Sequence, residues 1–196
     1  MKLETKRLIL RKPKRSDWKD VVEGIGDFDV CKNMVSVPYP YHRKDAENFI
    51  KFQIKQPEEK KPKNYNFFLE LKSEKKVIGC LSVVKIDYFS GVGETGSWVN
   101  KKYWRKGYMT EAKITVNDFA FNKLNLRRLY SPVFTDNAAS NATQQKMGYK
   151  LEGKMRKCVR SKATEKIHDE NIYGLLKEDW KKIRPKLLIK NKKIFI

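Results

Sequence analysis

The stretch "NKKYWRKGYMTEA", residues 100–112, decides how the chain is read. It sets Lys101, Lys102, Arg105 and Lys106 around a single glycine, Gly107, and runs into residues that open a helix. A loop that starts a helix carries backbone N–H groups with no intrahelical partner. Those groups and the helix dipole attract anions. Glycine lets the backbone come close to such an anion. The segment therefore raises the question whether the loop holds a phosphate. The alternative is an ordinary helix start with solvated basic residues.

On either side the pattern is regular. "FFLELK" (67–72) and "KVIGCLSVVKI" (76–86) read as strands around the turn "SEKK". The second is apolar on both faces, which places it centrally in a sheet. "GVGETGSWVN" (91–100) is a third strand. Beyond the loop, Met109, Ala112, Val116, Phe119 and Ala120 recur at helical spacing. "RRLYSPVF" (127–134) is a strand. "DNAASNATQQKMGY" (136–149) is a short helix, capped by Asp136 or Asn137 and stopped at Gly148.

Toward the N-terminus, "TKRLILRK" (5–12) alternates as a first strand. Ser16 caps a helix over 16–25, and a second helix covers 42–56, ending near Pro57. Residues 57–66 read as loop. Segments 149–160 and 166–176 are two last strands, followed by a terminal helix or tail (177–189) interrupted by Pro185. This order predicts an α/β (α+β) fold. Its central sheet is mixed and mostly antiparallel, has six to seven strands and one parallel pair, and is flanked by helices.

The composition narrows the partners. With 196 residues and 40% hydrophobic content, the chain is long enough for one core. A net charge of +21 favours anionic ligands, or simply reflects a lysine-rich solvated surface. Cys31, Cys80 and Cys158 are far apart, and neither His42 nor His168 stands in a metal-binding spacing. No disulfide framework and no metal are expected. Nothing reads as a signal peptide or membrane span, so a cytoplasmic location is expected.

Four stretches in order resemble the GNAT acetyltransferases, and within them the RimJ/RimL type that acetylates protein N-termini. They are "LETKRLILRKPKRSDW" (3–18), "GETGSWVNKKYWRKGYMTEA" (93–112), "DNAASNATQQKMGYKLEGKMR" (136–156) and "DENIYGLLKEDW" (169–180). The resemblance implies a GNAT fold with a splay between two parallel strands. It implies one GNAT domain over residues 1–180, with a basic, apolar extension over 181–196. It also implies acetyl-CoA as the donor, its pyrophosphate held by the loop. The family pattern there is Gln/Arg-x-x-Gly-x-Gly/Ala. Aligned on Gly107, this chain has Trp104 first and Met109 last, so two positions depart. On this resemblance the phosphate donors would be the backbone N–H groups of Arg105, Gly107, Tyr108 and Met109, with Thr110 nearby and the charges of Arg105 and Lys106 at the rim, so the physics survives the departures.

The same resemblance assigns further roles. Backbone groups of Trp98 and Val99 would pair with the pantetheine arm, as an added strand would. Asn137 would hydrogen-bond that arm. Ser140 would lie near the thiol and protonate the departing thiolate. Glu94, the acid of the family's E-x-G pattern, would take the proton of the amine. Each has a plain alternative: Asn137 as a helix cap, Ser140 as a solvated first-turn residue, Glu94 as a strand-end surface residue. Tyr149 is a second candidate for thiolate protonation, with packing the favoured role. Glu111 reads as compensation of the helix dipole. The cysteines have no visible activating partner, and buried packing is the reading for Cys80.

Three functions compete. The first is acetylation of a protein N-terminal α-amine by direct attack in a ternary complex, ribosomal proteins being the family's best-known targets. The second is acetylation of a small amine, an antibiotic or polyamine, with Asp27 and Asp29 contributing an acidic pocket. The third is a basic RNA- or ribosome-binding protein that keeps the fold without catalysis. Residues 150–196 hold fifteen Lys or Arg against six Asp or Glu, which suits a docking surface or a solvated tail. Acceptor choice is expected in the region 16–56 and in "SKATEK" (161–166). The apolar end "KLLIKNKKIFI" (186–196) is open as a homodimer interface, an ordered tail or a piece of core.

Overall fold

A computed structural model describes residues 1–55 and 61–191. Its strands are β1 (Lys2–Glu4), β2 (Leu8–Arg11), β3 (Tyr65–Leu71), β4 (Lys76–Asp87), β5 (Val92–Val99), β6 (Arg128–Phe134), β7 (Lys150–Arg160) and β8 (Ile167–Leu176). They form one eight-stranded sheet in the order β1-β2-β3-β4-β5-β6-β8-β7. Every pairing is antiparallel except β5 with β6. The sheet has one strand more than expected. The N-terminal segment is a hairpin, turned where the Thr5 N–H donates to the Leu8 carbonyl (3.0 Å). Lys2–Glu4 is too short and too polar to show alternation, so the sequence pattern does not reveal it.

The helices are α1 (Trp18–Ile25), α2 (Phe28–Cys31), α3 (Arg43–Ile54), α4 (Tyr108–Asp118), α5 (Ala138–Lys146) and α6 (Lys177–Lys190). Ser16 does not cap α1. It sits in a 3₁₀ turn over Arg15–Asp17. There the Asp17 carboxylate accepts from the Lys14 N–H (2.7 Å) and from Arg11 (2.8 Å). The helix over 42–56 appears as α3, with His42 at its N-cap. Pro57 lies outside the described residues.

Two apolar layers sandwich the sheet. On one face, Leu8, Leu10, Ile78, Leu81 and Val83 pack with Ile114, Val116 and Phe121 of the α4 region and with Trp180 and Leu187 of α6. On the other, Val21, Ile25, Cys31, Ala46 and Ile50 pack with Phe68, Cys80 and Trp98. β4 is central, with six of its side chains in the buried core, as its two-faced apolarity predicts. α6 runs unbroken through Pro185 and crosses residue 181. Trp180 Nε1 (2.9 Å) and Arg184 Nε (2.6 Å) both donate to Asp118 at the end of α4. Leu187 is therefore core, and residues 192–196 lie outside the described set. Among the described residues, no helix is long and apolar enough to cross a membrane.

Candidate active site

The parallel pair β5–β6 is in register only at Val92, Gly93 and Glu94, opposite Arg128, Leu129 and Tyr130. Just beyond, the Ser131 hydroxyl donates to the Thr95 carbonyl (3.1 Å). After that the strands part. β5 then offers a free edge up to Val99, where the basic loop begins. The result is a V-shaped groove whose mouth is the loop and whose apex is Thr95.

Which backbone groups face the groove follows from the β4–β5 ladder. The Asn100 N–H donates to the Ile78 carbonyl (2.9 Å), and the register runs Cys80↔Trp98 and Ser82↔Gly96. Antiparallel residues alternate between bonding their partner and facing away. Trp98 is thus turned to β4, and its backbone is not a groove ligand as expected. Ser97 and Val99 face the groove instead. The Val99 carbonyl accepts from the indole of Trp104 (2.7 Å). That bond gives the departure at Trp104 a physical role, tying the loop to the strand end.

At the mouth, Gly107 has φ +79° and occupies the N-cap of α4 with no side-chain cap. Side chains at that φ are strained. Arg105 also has a positive φ, +60°. Tyr108, Met109 and Thr110 supply the first-turn N–H groups, which a helix leaves without partners. The basic residues are not equivalent. Lys101 is bound to Asp29 (2.7 Å) and Lys102 to Glu23 (2.7 Å), so neither is free for a phosphate. Lys106 lies over the Tyr103 ring (5.3 Å). A cation that the sequence did not announce arrives from α5: Lys146 Nζ donates to the Thr110 hydroxyl (3.2 Å).

Glu111 anchors more than it compensates a dipole. Its fully buried carboxylate accepts from the Thr5 hydroxyl (2.5 Å), the Arg7 N–H (2.9 Å) and Arg7 Nε (2.6 Å). The Arg7 guanidinium continues to the Lys106 carbonyl (2.9 Å) and stacks on Tyr108 (4.2 Å). The N-terminal hairpin thereby braces the loop. Removing one partner of such a buried pair strands the other. Glu111→Ala is expected to cost about 2–3 kcal/mol of stability, less than a fully enclosed pair because Arg7 keeps some water. Urea unfolding measures it; a loss under ~1 kcal/mol would show that the carboxylate is no anchor.

At the apex, Glu94 points to the face opposite α4. Its Oε2 accepts from Lys85 Nζ (2.8 Å) and from the Tyr130 hydroxyl (3.0 Å). On the same face, a Cβ placed on Gly96 would meet nothing within 4 Å. Gly96 thus opens onto a cleft of about 450 Å³ between the sheet, α1, α3 and the 34–41 segment. Ser82, Ser97 and Trp98 line its floor, and Tyr41, Phe49 and Val37 its walls. Lys162 of the β7–β8 turn closes one side, its N–H bonded to the Val35 carbonyl (3.0 Å). Asp27 and Asp29 make no acidic pocket here. Asp29 is neutralised by Lys101 and Lys32, which hold its carboxyl down at about 2, and Asp27 caps α2.

Across the groove, the Asn137 side chain accepts from the Ser140 N–H (3.1 Å), so it caps α5. Ser140 is half-buried beside it. Tyr149 is buried, 3.5 Å from the Thr95 and Asn117 side chains, and burial pushes its phenol up. That environment is packing, on the α4 face. Sequence reading missed Glu170 of β8. It is buried, and burial, with the charge of Glu94 adding, pushes its carboxyl up.

Comparison with known proteins shows the family. Residues 7–150 match the family model described as the acetyltransferase (GNAT) domain. This chain is a GNAT acetyltransferase. It is 30% identical over 181 residues to "Uncharacterized N-acetyltransferase YnaD" of Bacillus subtilis, covering 92% of this chain and 99% of that one. Its fold matches the ribosomal-protein-S5-alanine acetyltransferase of Vibrio fischeri with TM-score 0.77 at 19% identity, covering 92% and 98% of the two chains. It also matches the microcin C7 self-immunity acetyltransferase MccE, solved with acetyl-CoA and AMP, with TM-score 0.74 at 22% identity, covering 87% and 93%. GNAT acetyltransferases use acetyl-CoA as donor and an amine as acceptor. The groove fits that donor: a positive-φ glycine before free helix N–H groups, cations at the rim, and an open strand edge leading to Glu94.

Proposed function

We propose that this acetyltransferase transfers acetyl to a protein N-terminal α-amine, of the kind ribosomal proteins carry, by direct attack in a ternary complex. The observation behind this reading is the charge of the cleft beside Gly96. Among the described residues, its charged lining residues are Asp45 and Lys162, one of each sign. A polyamine or aminoglycoside needs several carboxylates to offset its charges, and a surface of +21 opposes its approach. A peptide end needs an apolar trough and a few polar groups, as here. The fold it shares with an S5-alanine acetyltransferase supports the same reading.

Bound acetyl-CoA supplies an activated acetyl group as a thioester. The loop from Arg105 to Thr110 would hold its phosphates, and the Ser97 and Val99 edge with the Asn137 amide its arm. Glu94, held by Lys85 and Tyr130, takes the proton of the amine that enters over Gly96. An α-amine has a pKa of about 8, against about 10.4 for lysine, so more of it is neutral near pH 7. Ser140 gives a hydrogen bond toward the sulfur.

The test is CoA release from acetyl-CoA, read with a thiol reagent. Peptides with Ala, Ser, Met and Thr N-termini stand beside spermidine and an aminoglycoside. Release with free but not with blocked peptides is expected. Release with the small amines alone would overturn the proposal in favour of a small-molecule enzyme.

A further inference from the structure

Behind the apex of the groove, on the face opposite Glu94, the fold buries a lysine. Lys113 of α4 is 2% exposed. Its Nζ donates to Gln144 Oε1 of α5 (3.1 Å) and lies over the Tyr149 ring (5.5 Å). Gln144 Nε2 donates to the Ser131 hydroxyl (2.9 Å), and that hydroxyl donates to the Thr95 carbonyl (3.1 Å). The donors all point one way, from the ammonium to the atoms where β5 and β6 part. Thr95, Ser131, Gln144 and Asn117 are buried with it, and Asn117 Nδ2 is buried without a partner. Burying polar groups and a cation costs stability. Among the described residues, no carboxylate repays it here. Glu111 and Asp118 of α4 are engaged with Arg7 and Arg184, and Lys146 of α5 reaches Thr110. Tyr149 is the titratable group facing Lys113, and burial keeps its phenol neutral.

We propose that Lys113 is a positioning residue for the leaving group: acting through Gln144 and Ser131, it makes the groove apex favour the ionised thiol of CoA. The inference rests on the acetyl-CoA reading of the groove. With phosphates at the loop and Glu94 at the apex, the sulfur end of the arm comes to Thr95. When the C–S bond breaks, its electron pair goes to sulfur. A site that favours thiolate therefore favours departure. The two faces divide the work: Glu94 receives the amine's proton in front, and Lys113 offsets the sulfur's negative charge behind. Burial brings the Lys113 ammonium down to about 8, so it is still mostly charged at pH 7.

The experiment uses the full chain with CoA, without acceptor. Calorimetry first establishes CoA binding. The ultraviolet absorbance of the thiolate is then followed against pH, with desulfo-CoA as the blank. Ionisation releases the thiol proton to the buffer. The bound thiol is expected to ionise about one unit below free CoA, giving roughly tenfold more thiolate at pH 7. Lys113→Met, which keeps the stem and removes the charge, is expected to abolish that shift. Gln144→Glu keeps Lys113 but pairs it with a carboxylate, and is expected to abolish the shift as well. Should Lys113→Met not fold, Gln144→Glu decides. A bound thiol that ionises like free CoA, or an unchanged shift in a folded variant, overturns the inference while leaving acetyl-CoA binding intact. Failure of the parent protein to bind CoA overturns the groove reading, and this inference with it.

Discussion

A Gly107→Asp variant is expected to bind acetyl-CoA at least about a hundredfold more weakly than the parent while staying folded. Two effects add. At φ +79° any side chain is strained by about 1–2 kcal/mol, which shifts the N–H groups of the first turn. The new carboxylate then faces the phosphates that those N–H groups and the helix dipole would hold. Gly107→Ala separates the two, since it carries the strain without the charge, and should lose roughly tenfold. Calorimetry with acetyl-CoA reads both, and circular dichroism checks the fold. Affinity within a factor of about three of the parent in the Asp variant would remove the loop from the cofactor site.

The second large effect is on turnover. Glu94→Gln keeps the size of the side chain and a hydrogen bond to Tyr130, but cannot accept a proton. General base catalysis contributes about 10²–10⁴-fold. The variant is therefore expected to lose at least about a hundredfold in kcat with the best peptide of the panel, with acetyl-CoA affinity unchanged. Lys85 and Tyr130 make the prediction specific: they fix the carboxylate on the face where Gly96 leaves open space. A kcat within about threefold of the parent would mean that the amine loses its proton to water or to another group. Glu170 is the first such group to test, because it is buried near Glu94 and its carboxyl is pushed up.

These expectations draw on different levels of the molecule. The loop was legible as a loop because glycine, a helix start and basic residues are local features. Its charges were not. Lys101 and Lys102 stand beside Gly107 in sequence, yet Asp29 and Glu23 of distant elements bind them. Lys146, which does reach the loop, stands thirty-six residues from its partner Thr110. Trp98 shows the same limit at the level of one residue. Composition and pattern place it on β5, but only the register against Cys80 decides which way its backbone faces.

The amino-acid sequence by itself determined the order of elements, the central place of β4 and the position of the loop. Apolar periodicity, turn residues and caps act over a few neighbours, and those are written along the chain. The tertiary structure alone decided the site. The apex at Thr95 exists because β5 and β6 stop pairing after Glu94. The cleft exists because α1, α3 and the β7–β8 turn meet over Gly96. The buried Lys113 gains its meaning from Gln144 and Ser131, contributed by α5 and β6. Burial and electrostatics depend on which distant groups come together, and no local pattern carries that.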